Sequence, residues 1–103
     1  MIMCKSEIFA EILQIVSQET EISSEQILSP KKDEETVDAR YLLVYFLSHN
    51  GFCSSRIAAF IHKDVRTVNL ILTCFEERKE HRKYFGILLE NIRKLLGNKG
   101  FLS

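Results

Sequence analysis

The chain has 103 residues, 46% of them apolar, with four Gly and one Pro. That is one domain's length with enough apolar residues for a single core, and too little Gly and Pro for a collagen-like or low-complexity chain. Fourteen Lys and Arg balance fourteen Asp and Glu, so the formal net charge is zero, which argues against a histone-like polycation.

Residues 6–18 predict a helix. Ile8, Ile12 and Ile15 form one row at helical spacing, with Phe9, Leu13 and Val16 beside it, and Ser6 is the expected N-cap. Ser23 followed three residues later by Gln26 resembles a capping box, which predicts a short helical turn through Ile27 and Leu28 that Pro30 stops. Residues 29–35 read as a charged loop or the approach to the next helix. Residues 35–49 are the longest apolar stretch, and Val37, Tyr41, Val44, Phe46 and Leu47 fall on nearly every side, the mark of a central buried helix. Glu34, Glu35 and Asp38 suit its dipole at the start, and Asn50-Gly51 supplies a left-handed end.

A short helix is expected over 54–61 with Ser54 as cap, then a turn at His62-Lys63. Asp64 is the expected N-cap of a helix starting at Val65, with Val68, Ile71, Leu72 and Phe75 as its buried stripe. The charged run from Glu76 to Lys83 reads as a solvated continuation or a joint. The last helix carries Phe85, Leu88, Leu89, Ile92, Leu95 and Leu96 on one face, and Gly97 is expected to end it. No stretch alternates like a strand.

Residues 54–73 carry the most information. A helix-turn-helix needs two helices crossing steeply over a short turn. Ala58 is small enough for the crossing, Ile57 and Ile61 face Val68 and Ile71 across it, and three residues separate Ile61 from Val65. The second helix then offers Arg66, Thr67 and Asn69 near its N-terminus, with Lys63 just before, where such helices reach a DNA groove. His62 occupies the turn position that is commonly Gly. An ordinary helical hairpin in a small bundle meets the same apolar demands. Charge points the same way as the motif: residues 1–40 hold four basic and nine acidic residues, net −5, and residues 41–103 hold ten basic and five acidic, net +5. Such a split suggests a nucleic-acid partner for the second half or a solvated surface of uneven charge.

From about residue 6 to 96, the order of elements resembles the C-terminal DNA-binding domain of the bacterial replication initiator DnaA. A first helix is followed by ISSEQILSPKK, then by a helix containing DARYLLVYFL, then by SRIAAFIHKDVRTVNLIL. The family opens its recognition helix with basic-Asp-His-Ser/Thr-Thr-Val. Here the stretch reads Lys63-Asp64-Val65-Arg66-Thr67-Val68, so Val65 replaces the base-reading His and Arg66 the Ser/Thr. The family's minor-groove basic loop residue falls on Lys31 or Lys32, and its helix Arg on Arg40. The resemblance implies a Trp-repressor-like helix-turn-helix fold, DNA binding and a link to replication. The chain has no Gly-rich phosphate loop, so nucleotide binding is not expected, and the resemblance suggests a stand-alone divergent relative.

Other groupings point nowhere comparable. His49, Cys53 and His62 match no closed zinc spacing. Cys4, Cys53 and Cys74 are odd in number and widely spaced, so a reducing, cytoplasmic setting is expected. Neither Cys53 nor Cys74 has a sequence partner that marks a nucleophile. Glu34-Glu35 and Glu76-Glu77 belong to charge runs. Arg78, Lys79, Arg82 and Lys83 could touch phosphates or form a solvated face, while Phe52 and Phe101 lie outside the stripes and could be exposed anchors. No apolar run is long enough to span a bilayer, and the N-terminus, interrupted by Glu7 and Glu11, does not read as a signal peptide.

The expectation is one all-α domain over 1–103, of five to six helices, with a helix-turn-helix at about 54–79 and a further helix at about 83–97. Its expected function is non-enzymatic, sequence-dependent binding of double-stranded DNA, possible in replication or transcription control, through Lys31, Lys32, Arg40, Lys63, Asp64, Val65, Arg66, Thr67 and Asn69, with no metal, cofactor, nucleotide or membrane. The alternative is a protein-interaction domain that keeps the fold, using the last helix.

Overall fold

A computed structural model describes residues 4–101 and is all-helical over them. Its six helices are α1 (Lys5–Thr20), α2 (Ser24–Ile27), α3 (Glu34–His49), α4 (Ser54–Ile61), α5 (Val65–His81) and α6 (Phe85–Asn98). The helix order agrees with the sequence expectation, while several ends differ.

Helix α3 is the centre of the domain, in contact with α1, α2, α4 and α5. Ala39, Leu42, Leu43, Val44, Phe46 and Leu47 are wholly buried along it, as an all-round apolar helix requires. Helix α1 lays Ile12, Leu13, Ile15 and Val16 into the core, and α6 adds Phe85, Leu89, Ile92 and Leu96. Two aromatic groups tie distant segments together. Tyr45 of α3 stacks on Phe75 of α5 at 4.2 Å, and Phe75 meets Phe85 of α6 edge-on at 5.2 Å. Phe9 of α1 stacks on Phe60 of α4 at 4.7 Å, and Phe52 meets Phe60 at 5.7 Å. Such offset and edge-on pairs add to the burial of the rings themselves.

The helix ends follow from local chemistry. Ser23 caps α2, its hydroxyl accepting from the Gln26 N–H at 3.1 Å, and Asp64 caps α5, accepting from the Thr67 N–H at 2.8 Å. Both caps are the expected ones. Helix α1 begins two residues earlier than Ser6 implies: the Cys4 N–H donates to Glu7 Oε1 at 3.2 Å, with the Cys4 thiol beside it at 3.1 Å. Helix α3 is capped by Asp33, which receives the Thr36 N–H at 3.2 Å and the Thr36 hydroxyl at 2.8 Å. Helix α4 is preceded by Cys53 with no side-chain cap, since the Ser54 hydroxyl donates elsewhere.

Gly97 does not end α6; it lies inside the helix, and Gly100 takes the left-handed conformation, φ +86. The Phe101 N–H then closes on the Leu96 carbonyl at 2.9 Å and the Gly100 N–H on Gly97 at 3.1 Å. The same pair of hydrogen bonds ends α3, where Gly51 has φ +87, Phe52 N–H donates to Leu47 O at 3.1 Å and Gly51 N–H donates to Ser48 O at 3.3 Å. In this arrangement the residue after the glycine folds back on the helix with an apolar contact. That accounts for Phe52, which is 3% exposed, and Phe101, which packs against the core. Neither is the exposed anchor that its place outside the stripes suggested.

The charged run also resolves. Residues 76–81 continue α5, and Arg78 and Arg82 turn inward to Asp38 of α3. Arg78 Nε donates to Asp38 Oδ1 at 2.6 Å, Arg82 Nη2 donates to Asp38 Oδ2 at 2.7 Å, and Glu34 pairs with the two arginines at 3.5 and 3.3 Å. Glu34 and Asp38 are four residues apart, as are Arg78 and Arg82, so two helices present matching turns. The Asp38 carboxylate raises the Arg82 pKa, chiefly through its hydrogen bonds. Together with Lys99–Glu11 at 3.1 Å, this network pairs three of the nine acidic residues of the first part with three of the ten basic residues of the second. Part of the uneven charge is therefore answered within the fold.

Candidate nucleic-acid interface

Helices α4 and α5 pack on each other and are joined by three residues. His62 accepts the left-handed conformation, φ 60, and lets the Lys63 N–H return to the Ala58 carbonyl at 3.0 Å. This is the conformation that usually selects Gly; His carries it here at modest cost. Ile57, Ala58 and Ile61 of α4 and Val68 and Ile71 of α5 are buried, as expected of the two facing stripes. Ala58→Leu should overpack this layer and lower stability by about 1–3 kcal/mol. Urea unfolding measures it, and an unchanged midpoint would mean there is room beside Ala58.

The Asp64 cap makes a prediction about acid. Hydrogen bonds from the Thr67 side chain and N–H hold the Asp64 carboxyl below the usual carboxylate range, helped by Arg66. Its folded pKa is thus below its unfolded one, so its contribution is present above the unfolded value and lost as pH falls through the folded value. Amide exchange at Thr67 should accelerate, relative to the intrinsic rate, as pH drops below about 4. Asp64→Asn retains an acceptor that does not titrate there and should remove that acceleration; an identical pH profile in the variant would show that the cap is not what titrates.

The outward face of α5 carries Val65, Arg66, Asn69, Leu70 and Thr73, all exposed. Val65 and Leu70 are large apolar side chains at 41% and 58% exposure. Asn69 is less free than its position suggests: its Oδ1 accepts from the Ser54 hydroxyl at 2.7 Å. Arg66 is exposed and forms no ion pair among the described residues.

The loop before α3 comes up beside this helix. A concavity of about 430 Å³ lies between them, and Lys32, Arg40, Lys63 and Thr67 all line it. Four of the nine expected site residues, from three separate segments, are thereby gathered in one place. Lys31 is exposed and only loosely paired with Asp33, at 4.0 Å.

Arg40 has a different part from the one expected. It is 6% exposed. Its Nε donates to Ile27 O at 3.0 Å, and Nη2 donates to Ser29 O at 2.7 Å and Lys31 O at 3.1 Å. Burial lowers its pKa while the Asp33 carboxylate opposes that. Arg40 therefore holds the loop that presents Lys31 and Lys32, and its guanidinium is largely committed to that task. The apolar walls of the concavity, Val37, Tyr41, Leu70 and Ile71, did not stand out in the sequence as site residues. Leu70 was the legible one, since it breaks the polar face of a helix whose buried stripe lies elsewhere.

Among the described residues, no group of three or more His, Cys, Asp or Glu is placed to hold a metal ion. His49 Nδ1 lies 3.0 Å from the Tyr45 carbonyl, and Cys53 Sγ lies 3.3 Å from the Ser55 hydroxyl. No described helix is long and apolar enough to cross a membrane.

Comparison with protein-family models, with curated proteins and with solved structures finds no match to this chain.

Proposed function

We propose that the domain binds double-stranded DNA, with the start of α5 entering the major groove and the loop before α3 lying along the flanking backbone. One observation carries this reading. Lys32 and Lys63, from two different segments, line one concavity beside the start of α5, and Arg66 stands exposed in the first turn of that helix with no ion pair among the described residues. In this reading Arg66 reads guanine, the commonest partner of an arginine in the groove. Lys32, Lys63 and Lys31 hold phosphates, and Thr67, whose side chain and N–H both bond to Asp64, fixes the cap at the helix start beside them. The resemblance to the DnaA C-terminal domain supports the same use of these elements and, through it, a place in replication or transcription control.

A binding titration against random duplex DNA at several salt concentrations tests the proposal. Three lysines, at about 0.9 released cations per phosphate, predict a slope of log affinity on log salt of about −3. Lys32→Ala should weaken all sequences alike, whereas Arg66→Ala should relax preference at one base pair by about 1–3 kcal/mol. No binding at low salt with protein near 100 μM, where non-specific complexes form, would sink the reading.

A protein-interaction role is the second reading, favoured by Tyr84 and Ile87. They stand 70% and 55% exposed, Tyr84 just before α6 and Ile87 in its first turn, and such residues are suited to a partner's apolar surface.

A further inference from the structure

The concavity beside α5 has a composition that phosphate binding does not require. Its cations are Lys32, Arg40 and Lys63, and no Asp or Glu among the described residues lines it. Its walls are the side chains of Val37, Leu70 and Ile71 and the ring of Tyr41. Arg40 is a largely buried cation whose Nε and Nη2 donate to backbone carbonyls; its Nη1 takes part in none of these bonds and, since no buried side-chain nitrogen or oxygen among the described residues is without a partner, it is open to solvent. A buried charge is costly unless it is paired, and among the described residues no carboxylate forms an ion pair with it. The volume, about 430 Å³, lies in the range of small-molecule sites, about 300–1,000 Å³. Leu70, 58% exposed, leaves an apolar edge that an inorganic anion would not cover.

From this we infer that the concavity between the α2–α3 loop and α5 is a binding site for a small organic carboxylate with an apolar body. The carboxylate lies against Arg40, Lys32 and Lys63, and the body covers Val37, Leu70 and the Tyr41 ring. The site does not depend on the domain binding DNA. If the domain does bind DNA, Lys32 and Lys63 serve both ligands, so an occupied site and a bound duplex exclude each other.

The test is a heteronuclear NMR titration of the intact chain with 2-naphthoate, and with 2-naphthalenemethanol and inorganic phosphate as comparisons. Naphthoate should shift the Val37, Leu70 and Ile71 methyl signals and bind about tenfold or more tightly than the alcohol, the difference a charged hydrogen-bonded group makes. Lys63→Ala should weaken it about two- to fivefold, as loss of one partly exposed charge partner does. Leu70→Ser removes an exposed side chain without touching the core and should weaken it about fivefold while leaving phosphate binding unchanged. Several results overturn the inference: equal binding of alcohol and carboxylate, phosphate binding as tightly as naphthoate, shifts confined to other surfaces, or no shift at about 10 mM, well above the range of weak ligands. The variants chosen leave Arg40 intact, so loss of folding does not obscure the outcome.

Discussion

Arg40→Met is expected to destabilise the domain by about 3–4 kcal/mol, because the Ile27, Ser29 and Lys31 carbonyls each lose a donor and an unsatisfied buried acceptor costs about 1–3 kcal/mol. The bond to Ile27 lies fully in the interior, while those to Ser29 and Lys31 are part-buried, so water recovers some of the loss at the latter two. Methionine keeps the apolar stem, which isolates the effect of the guanidinium. Arg40→Lys should recover little, since a single ammonium cannot reproduce the planar fork that reaches three carbonyls. Urea unfolding of both variants measures this. A loss under about 1 kcal/mol for Arg40→Met, no more than one ordinary hydrogen bond, would mean that water replaces the arginine and the loop holds its own shape. The result also separates two roles. If Arg40 served mainly to touch a ligand, its removal would change binding with little effect on stability.

The second large effect is expected at Asp38. Its side chain is 8% exposed and receives both Arg78 and Arg82, themselves 15% and 32% exposed. Removing one member of a buried ion pair costs about 3–5 kcal/mol, because the remaining charge stays desolvated. The arginines here retain some water and a second acid in Glu34, so Asp38→Ala should cost about 3 kcal/mol, at the low end of that range. The network also predicts non-additivity. Once Asp38 is gone, Arg78→Met and Arg82→Met should add little or even restore stability, since replacing a whole buried network with apolar side chains is often neutral. A double- and triple-mutant cycle by chemical denaturation checks this. Simple addition of the separate losses would show that Asp38 acts through something other than the two arginines.

These two residues mark the boundary between what could be read along the chain and what could not. Helical periodicity is a local property: side chains three and four residues apart share a face, so the six helices and most of the core were legible. The Ser23 and Asp64 caps were legible for the same reason, because a cap bonds to a backbone N–H within the same turn. Errors fell where two local signals competed. Gly97 and Gly100 both suit a helix end, and what separates them is that the residue after Gly100 is Phe101, which can fold back on Leu96. Asp33 lost to Glu34 and Asp38 as the marker of the start of α3, although it alone stands where it can accept the Thr36 N–H.

The sequence by itself determined an all-helical chain, a three-residue turn between α4 and α5, and a polar start to α5 bearing Arg66 beside Lys63. Only the tertiary structure decided which charges were free. Arg40 and Arg66 look alike in a string of letters, as do Arg78 and Lys63, but burial against Ile27 and Ser29 commits the first, and Asp38, forty residues away along the chain, commits Arg78. The reason is that a charge's role depends on its neighbours in space and on the water left around it. Neither is set by spacing along the helix. Packing α3 against α5 and the preceding loop brought Lys32, Arg40 and Lys63 around one apolar hollow, and no periodicity in the sequence records that meeting.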